Sequence, residues 1–140
     1  MAGYSGTPLW KKLGMKPDTV WVLFDAPQGF VVEEAPAPLV DLEELTDFFD
    51  GALAFCTTKE AVQQALSTAK SKMTAHGGLW ICWPKKSSRL DSNIGQMDVM
   101  QLGIESGFVD NKVCAIDEDW SGLRFVVRKE NRADWPVRHD

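Results

Sequence analysis

The run Gly77-Gly78-Leu79-Trp80-Ile81-Cys82-Trp83-Pro84-Lys85-Lys86 constrains this chain more than any other segment. Its centre is apolar without polar alternation, and a proline and two lysines close it. A short apolar run bounded in this way is the pattern of a strand buried on both faces, inside a parallel sheet covered by helices. The glycine pair reads as the stop of a preceding helix. Open sheets of this kind bind ligands just past the carboxyl ends of their strands, so the exit of this run is a place to look for function.

Other segments fit the same scheme. Thr19-Val20-Trp21-Val22-Leu23-Phe24 and Ala52 to Cys56 are also continuously apolar and read as strands. Thr57 and Glu60 have capping-box spacing, and Val62, Ala65, Leu66, Ala69 and Met73 follow at helical intervals. Asp41-Leu42-Glu43-Glu44 has the form of a helix start, with Leu42, Leu45 and Phe49 on one face and Asp50-Gly51 as the stop. Pro38-Leu39-Val40 reads as a short edge strand. A further helix is expected over about Asn93 to Ser106, its inner face Ile94, Met97, Met100 and Ile104, with Gly107 as cap. Lys112 to Ile116 and Leu123 to Arg128, joined by Asp117 to Gly122, predict a closing antiparallel pair. Leu9, Trp10 and Leu13, ended by Gly14, form a short helix in the amino-terminal arm.

Right-handed crossovers make the first strands parallel. The expected fold is therefore α/β: a Rossmann-like, mostly parallel sheet with helices on both faces, closing with an antiparallel hairpin. A chain of 140 residues fits one domain, with residues 1–18 as an arm, 19–130 as the core and 131–140 as a polar tail.

The net charge of −5 argues against general nucleic-acid binding, which needs a basic excess. Cys56, Cys82 and Cys114 each lie inside an apolar run, and no C-x-x-C pair suggests a metal or redox site. No apolar stretch approaches the ~20 residues of a membrane span, and Met1 to Lys12 has no apolar core for secretion. A cytoplasmic protein is the expectation.

Four segments are candidates for chemistry. The turn Asp25 to Phe30 follows the first strand, where nucleotide-type cofactors sit, yet it offers only Gly29 and contains Pro27. Asp41 and Glu43 stand nearby but read as helix-start residues, not as holders of ribose hydroxyls. The loop Trp83-Pro84-Lys85-Lys86-Ser87-Ser88-Arg89 carries three cations and two hydroxyls after a central strand. Lys85, Lys86, Ser87 and Arg89 suit a phosphate or carboxylate, with Trp83 as a stacking wall; the plainer reading is a solvated loop. Asp117-Glu118-Asp119-Trp120-Ser121-Gly122 offers carboxylates for a cation or for acid–base work, without EF-hand spacing, and more ordinarily decorates a hairpin turn. Trp120 beside Gly122 would cover a pocket. The arm, Gly3-Tyr4-Ser5-Gly6-Thr7-Pro8, can present backbone donors to an anion. No Ser-His-Asp, Cys-His or metal-ligand spacing is present.

The order of elements, with its Gly-Gly strand, helix and closing hairpin, resembles the class I methyltransferase fold. Tyr4 to Leu9, Lys11 to Gly14, Trp83 to Lys86, Lys112 to Asp117 and Trp120 to Leu123 together resemble the small bacterial family catalogued as domain of unknown function three thousand and fifty-two. That resemblance implies a single-domain cytoplasmic protein and brings no assigned activity, cofactor or catalytic residue.

The missing glycine-rich turn makes a non-catalytic binding or regulatory domain on a reduced methyltransferase-like sheet the leading expectation. Its pocket would use Lys85, Lys86 and Ser87, with Tyr4 or Trp120, for a small anionic ligand or the acidic patch of a protein partner. The alternative is a divergent S-adenosylmethionine-dependent methyltransferase. A structural or assembly role is the third reading: six tryptophans are many for this length, and Trp10 and Trp135 in arm and tail suit a homo-oligomer contact.

Overall fold

The computed structural model describes residues 6–137. Six strands form one sheet: β1 (Trp21–Phe24), β2 (Leu39–Asp41), β3 (Phe49–Phe55), β4 (Met73–Pro84), β5 (Phe108–Ala115) and β6 (Trp120–Val127). Their order across the sheet is β2-β1-β3-β4-β6-β5. The first four run parallel, with Phe24 beside Ala54 and Ala54 beside Ile81. β6 returns antiparallel to both β4 and β5. The three apolar runs thus lie side by side with their carboxyl ends on one rim.

Two apolar layers flank the sheet. One face carries α2 (Lys59–Lys72) and α3 (Gln96–Glu105), packed through Val62, Ala65, Leu66, Ala69 and Val99 against Val22, Ala54, Ile81 and Phe125. Among the described residues, the other carries the short α1 (Leu9–Leu13) and the irregular segment after β1, packed on Trp21, Leu53, Phe55 and Trp80. Gly14 ends α1 at φ 81°, a conformation open to glycine at little cost. Trp80 Nε1 donates to the Leu13 carbonyl (3.1 Å), tying α1 to the sheet centre.

Several sequence expectations are corrected. No helix starts at Asp41: Leu39–Asp41 is the edge strand, and only a 3₁₀ turn, Leu42–Glu44, follows it. The apolar spacing through Phe49 misleads because Phe49 already belongs to β3, whose start is fixed by Asp50. That carboxylate accepts from Val20 N (2.9 Å) and from Thr74 Oγ1 (3.0 Å). The Gly77-Gly78 pair does not stop a helix, since α2 ends at Lys72 and β4 begins at Met73. A Cβ on Gly77 would lie 2.5 Å from the Asp50 carbonyl oxygen, so close backbone approach at a bulge requires glycine there. The α2 cap is Thr58, whose Oγ1 accepts from Ala61 N (3.1 Å), one residue beyond the expected Thr57.

The inner face of α3 also differs. Val99 and Gly103 are buried, whereas Met97 is 70% and Ile104 43% exposed. Trp135 holds the tail to the sheet, its Nε1 donating to the Met73 carbonyl (2.7 Å) and its ring set edge-on to Phe108.

Candidate functional site

The chain leaves β1 for β2 on one side and returns to β3 on the other. That reversal opens a crevice at the carboxyl ends of β1 and β3, the place where open α/β sheets bind ligands. A cavity of about 110 Å³ lies there, lined by Phe24, Asp25, Leu42, Glu43, Ala54, Phe55, Cys56, Ala61, Gln64 and Ala65. Its walls are mainly apolar, and its polar groups are carboxylates and an amide.

Asp25 leads the turn out of β1 at φ 53°, a strained conformation for a residue with a side chain. No α-helix follows β1; the helix amino terminus at the crevice is that of α2, which starts at Lys59 after β3 and lines the cavity through Ala61 of its first turn. Asp41 ends β2 in register with Leu23, next to that turn. It is exposed, and its carboxylate does not cap the 3₁₀ turn that it precedes. Its place at a strand end was hidden in the sequence, because Asp-Leu-Glu-Glu is equally the pattern of a helix start. Burial, with Asp25 adding to it, pushes the Cys56 thiol up to about 12.

A second, wider cleft of about 780 Å³ opens further along the rim, at the end of β4. Trp83, Pro84, Lys85, Lys86, Ser92, Asn93, Asp98 and Ser121 are among its walls. Ser92 Oγ donates to the Thr57 carbonyl (3.3 Å), joining the loop after β4 to the loop after β3. Lys85 N donates to the Asp119 carbonyl (2.8 Å), so the β5–β6 hairpin turn abuts the lysine loop. Asp98 Oδ2 accepts from Gly95 N (2.9 Å) at the start of α3, and its negative charge sits at that helix end.

The sequence-selected residues separate in space. Trp83, Lys85 and Lys86 line the wide cleft, while Ser87 and Arg89 are exposed on the outer loop and do not. Trp120 lines neither of these two cavities; it is buried on the opposite face, edge-on to Phe55 at 5.0 Å. Gly29 lies exposed in the β1 turn at φ 82°, outside the small cavity. Tyr4 lies outside the described residues. Asp117 Oδ1 accepts from Asp119 N (2.8 Å) and Trp120 N (2.9 Å), the work of a hairpin turn. Among the described residues, no group of three or more His, Cys, Asp or Glu side chains is arranged to hold a metal. Asp41, Gln64 and Asn93 were not chosen from the sequence; only the register and the helix phases bring them to the rim.

No protein-family model matches the chain. No curated protein is significantly similar to it. Among solved structures, the chain is similar to Aeropyrum pernix fibrillarin, determined with natively bound S-adenosyl-L-methionine. The identity is 11%, the TM-score 0.61, and the match covers 89% of this chain and 70% of that one. It is also similar to the Methanococcus jannaschii fibrillarin pre-rRNA processing protein, at 12% identity, TM-score 0.60 and the same two coverages.

The fold is therefore Rossmann-like and methyltransferase-like, in a reduced form. This likeness overturns the leading expectation of a non-catalytic anion-binding domain. That expectation rested on the missing glycine-rich turn, and the shared architecture persists without it. The cations it relied on also stand apart from the switch-point crevice. Among the described residues, no helix is long and apolar enough to cross a membrane.

Proposed function

We propose that this chain is a divergent S-adenosylmethionine-dependent methyltransferase, with its cofactor held across the carboxyl ends of β1, β2 and β3. The observation that carries this reading is the position of Asp41. It ends the strand next to β1, one residue before Leu42 of the cavity wall, with its carboxylate unused as a cap. A carboxylate there accepts hydrogen bonds from ribose hydroxyls.

The chemistry of the rim agrees. Asp25, Asp41 and Glu43 stand around it, no glycine-rich turn or helix follows β1, and the first turn of α2, which reaches the cavity through Ala61, carries Glu60. Such a rim favours cationic groups over phosphates, and adenosylmethionine, with a sulfonium, an ammonium, one carboxylate and no phosphate, is a net cation. The apolar walls from Phe24, Leu42, Ala54, Ala61 and Ala65 suit one side of an adenine ring, with Gln64 at hand for its polar edge. Pockets that enclose a whole ligand of this size run about 300–1,000 Å³, so the 110 Å³ cavity takes one ring and the remainder lies over the open rim.

When bound, adenosylmethionine supplies an electrophilic methyl group. The wide cleft beside the crevice is the proposed acceptor site. There Trp83 gives a flat wall, Lys85 and Lys86 draw an acceptor that carries an anionic group, and Asn93 and Ser121 offer orienting hydrogen bonds. Membership in the family suggested by the motif blocks belongs to the same proposal.

Calorimetry with adenosylmethionine and adenosylhomocysteine tests it. The wild type is expected to bind with micromolar affinity, and Asp41→Asn to lose about tenfold, roughly 1.4 kcal/mol. Absence of saturable binding at millimolar cofactor would overturn the proposal.

A further inference from the structure

Arg124 lies on β6, on the sheet face that α1 covers. Its Nε is buried and has no hydrogen-bond partner among the described residues. The guanidinium rests on Gly78 of β4, where a Cβ would come within 2.4 Å of Nε, 2.6 Å of Nη2 and 2.7 Å of Cζ. Glycine at position 78 therefore gives the guanidinium its seat. The backbone fixes the plane of the fork, and Nε finds no acceptor among the described residues. Burial lowers the Arg124 pKa, with no carboxylate acting against it.

Directly across the ladder from Arg124 is Lys112. Its Nζ donates to the Lys12 carbonyl at the end of α1 (2.8 Å), which places the ammonium on the same face. Like charges directly opposite in an antiparallel pair repel each other. Lys12 adds to them: its charge and that of Lys112 both act on Cys114, two residues along β5 from Lys112. Among the described residues, no carboxylate offsets the burial of Arg124.

We propose that Arg124 and Lys112, with Lys12 beside them, bind a single oxyanion, a phosphate or carboxylate group, on the α1 face of the sheet. A group held there turns the repulsion between the two cations into attraction to a common partner, and a planar fork suits such oxygens. The chain's net charge of −5 disfavours a long polyanion, so the ligand presents one group. Gly78 pairs with Gly51, whereas Cys82 pairs with Phe55 at the end of β3, so this site lies well below the cofactor rim. It stands or falls independently of the methyltransferase reading.

The test is a titration with inorganic phosphate and, separately, with acetate, at ionic strength held constant with chloride. The readouts are the arginine side-chain ¹⁵N–¹H resonances and the melting temperature. The expected result is a saturable shift of the Arg124 signal and a saturable rise in melting temperature. Both are absent in Arg124→Gln, and the apparent affinity is at least tenfold weaker in Arg124→Lys, which keeps the charge and loses the fork. Saturation with phosphate alone assigns a phosphate ligand, and saturation with acetate a carboxylate. If Arg124→Gln does not fold, the wild-type resonance decides alone. A linear response matching that of chloride overturns the site, as does an undiminished phosphate effect in a folded Arg124→Gln.

Discussion

Gly103 of α3 sits directly on the ring of Phe125 of β6: a Cβ at this glycine would come within 2.1 Å of the ring carbon Cε1. This single approach sets the phase of α3. It turns Val99 to the core and leaves Met97 in solvent. In an exposed helix, glycine to alanine is favourable by about 1 kcal/mol. Here the clash is with a fully buried ring, and overpacking of this kind costs typically 1–3 kcal/mol. Gly103→Ala is therefore expected to lower stability by about 1–2 kcal/mol in urea denaturation. A neutral or stabilising result would mean that α3 does not lie so close to the sheet.

Trp80 is wholly buried and donates to the Leu13 carbonyl. Trp80→Phe keeps an aromatic ring but leaves that carbonyl without its partner. The lost volume and the orphaned acceptor together predict a loss of roughly 2–4 kcal/mol. Amide exchange in Lys11 to Met15 is expected to accelerate more than exchange in β3, because α1 loses its tie to the sheet.

The thiols give the stability a pH dependence on the alkaline side. Burial raises Cys56 to about 12 from 9.0, and it raises Cys82 as well. Both thiols keep their protons in the folded state after the unfolded chain has begun to lose them. Their contribution is thus complete below about pH 9 and is lost as pH rises from there towards 12. Urea midpoints are expected to be flat in this respect between pH 7 and 8 and to fall by pH 10. Cys56→Ala should make the alkaline fall shallower. An unchanged slope would show that Cys56 is not protected.

The sheet was legible in the sequence where burial on both faces leaves no polar alternation. The runs around Leu23, Ala54 and Ile81 are of this kind, and they do lie together. The hairpin between β5 and β6 was legible from its turn residues. What stayed hidden depends on register. Nothing local distinguishes a glycine that seats Arg124 from one that stops a helix, because the arginine lies far along the chain. Asp41 has the same neighbours whether it caps a helix or ends a strand, and only pairing with β1 decides between them. The lysine loop was found as a wall of the wide cleft, but Ser87 and Arg89 point elsewhere for want of any constraint on so polar a segment.

The most direct test is a two-dimensional amide NMR titration with adenosylhomocysteine, which maps where the ligand sits. The predicted result is a saturable set of shifts centred on Asp25, Asp41 to Glu43 and Cys56, weakened in Asp41→Asn. Shifts confined to Lys85 to Ser92, or none at millimolar ligand, would contradict a cofactor site at the carboxyl ends of β1, β2 and β3.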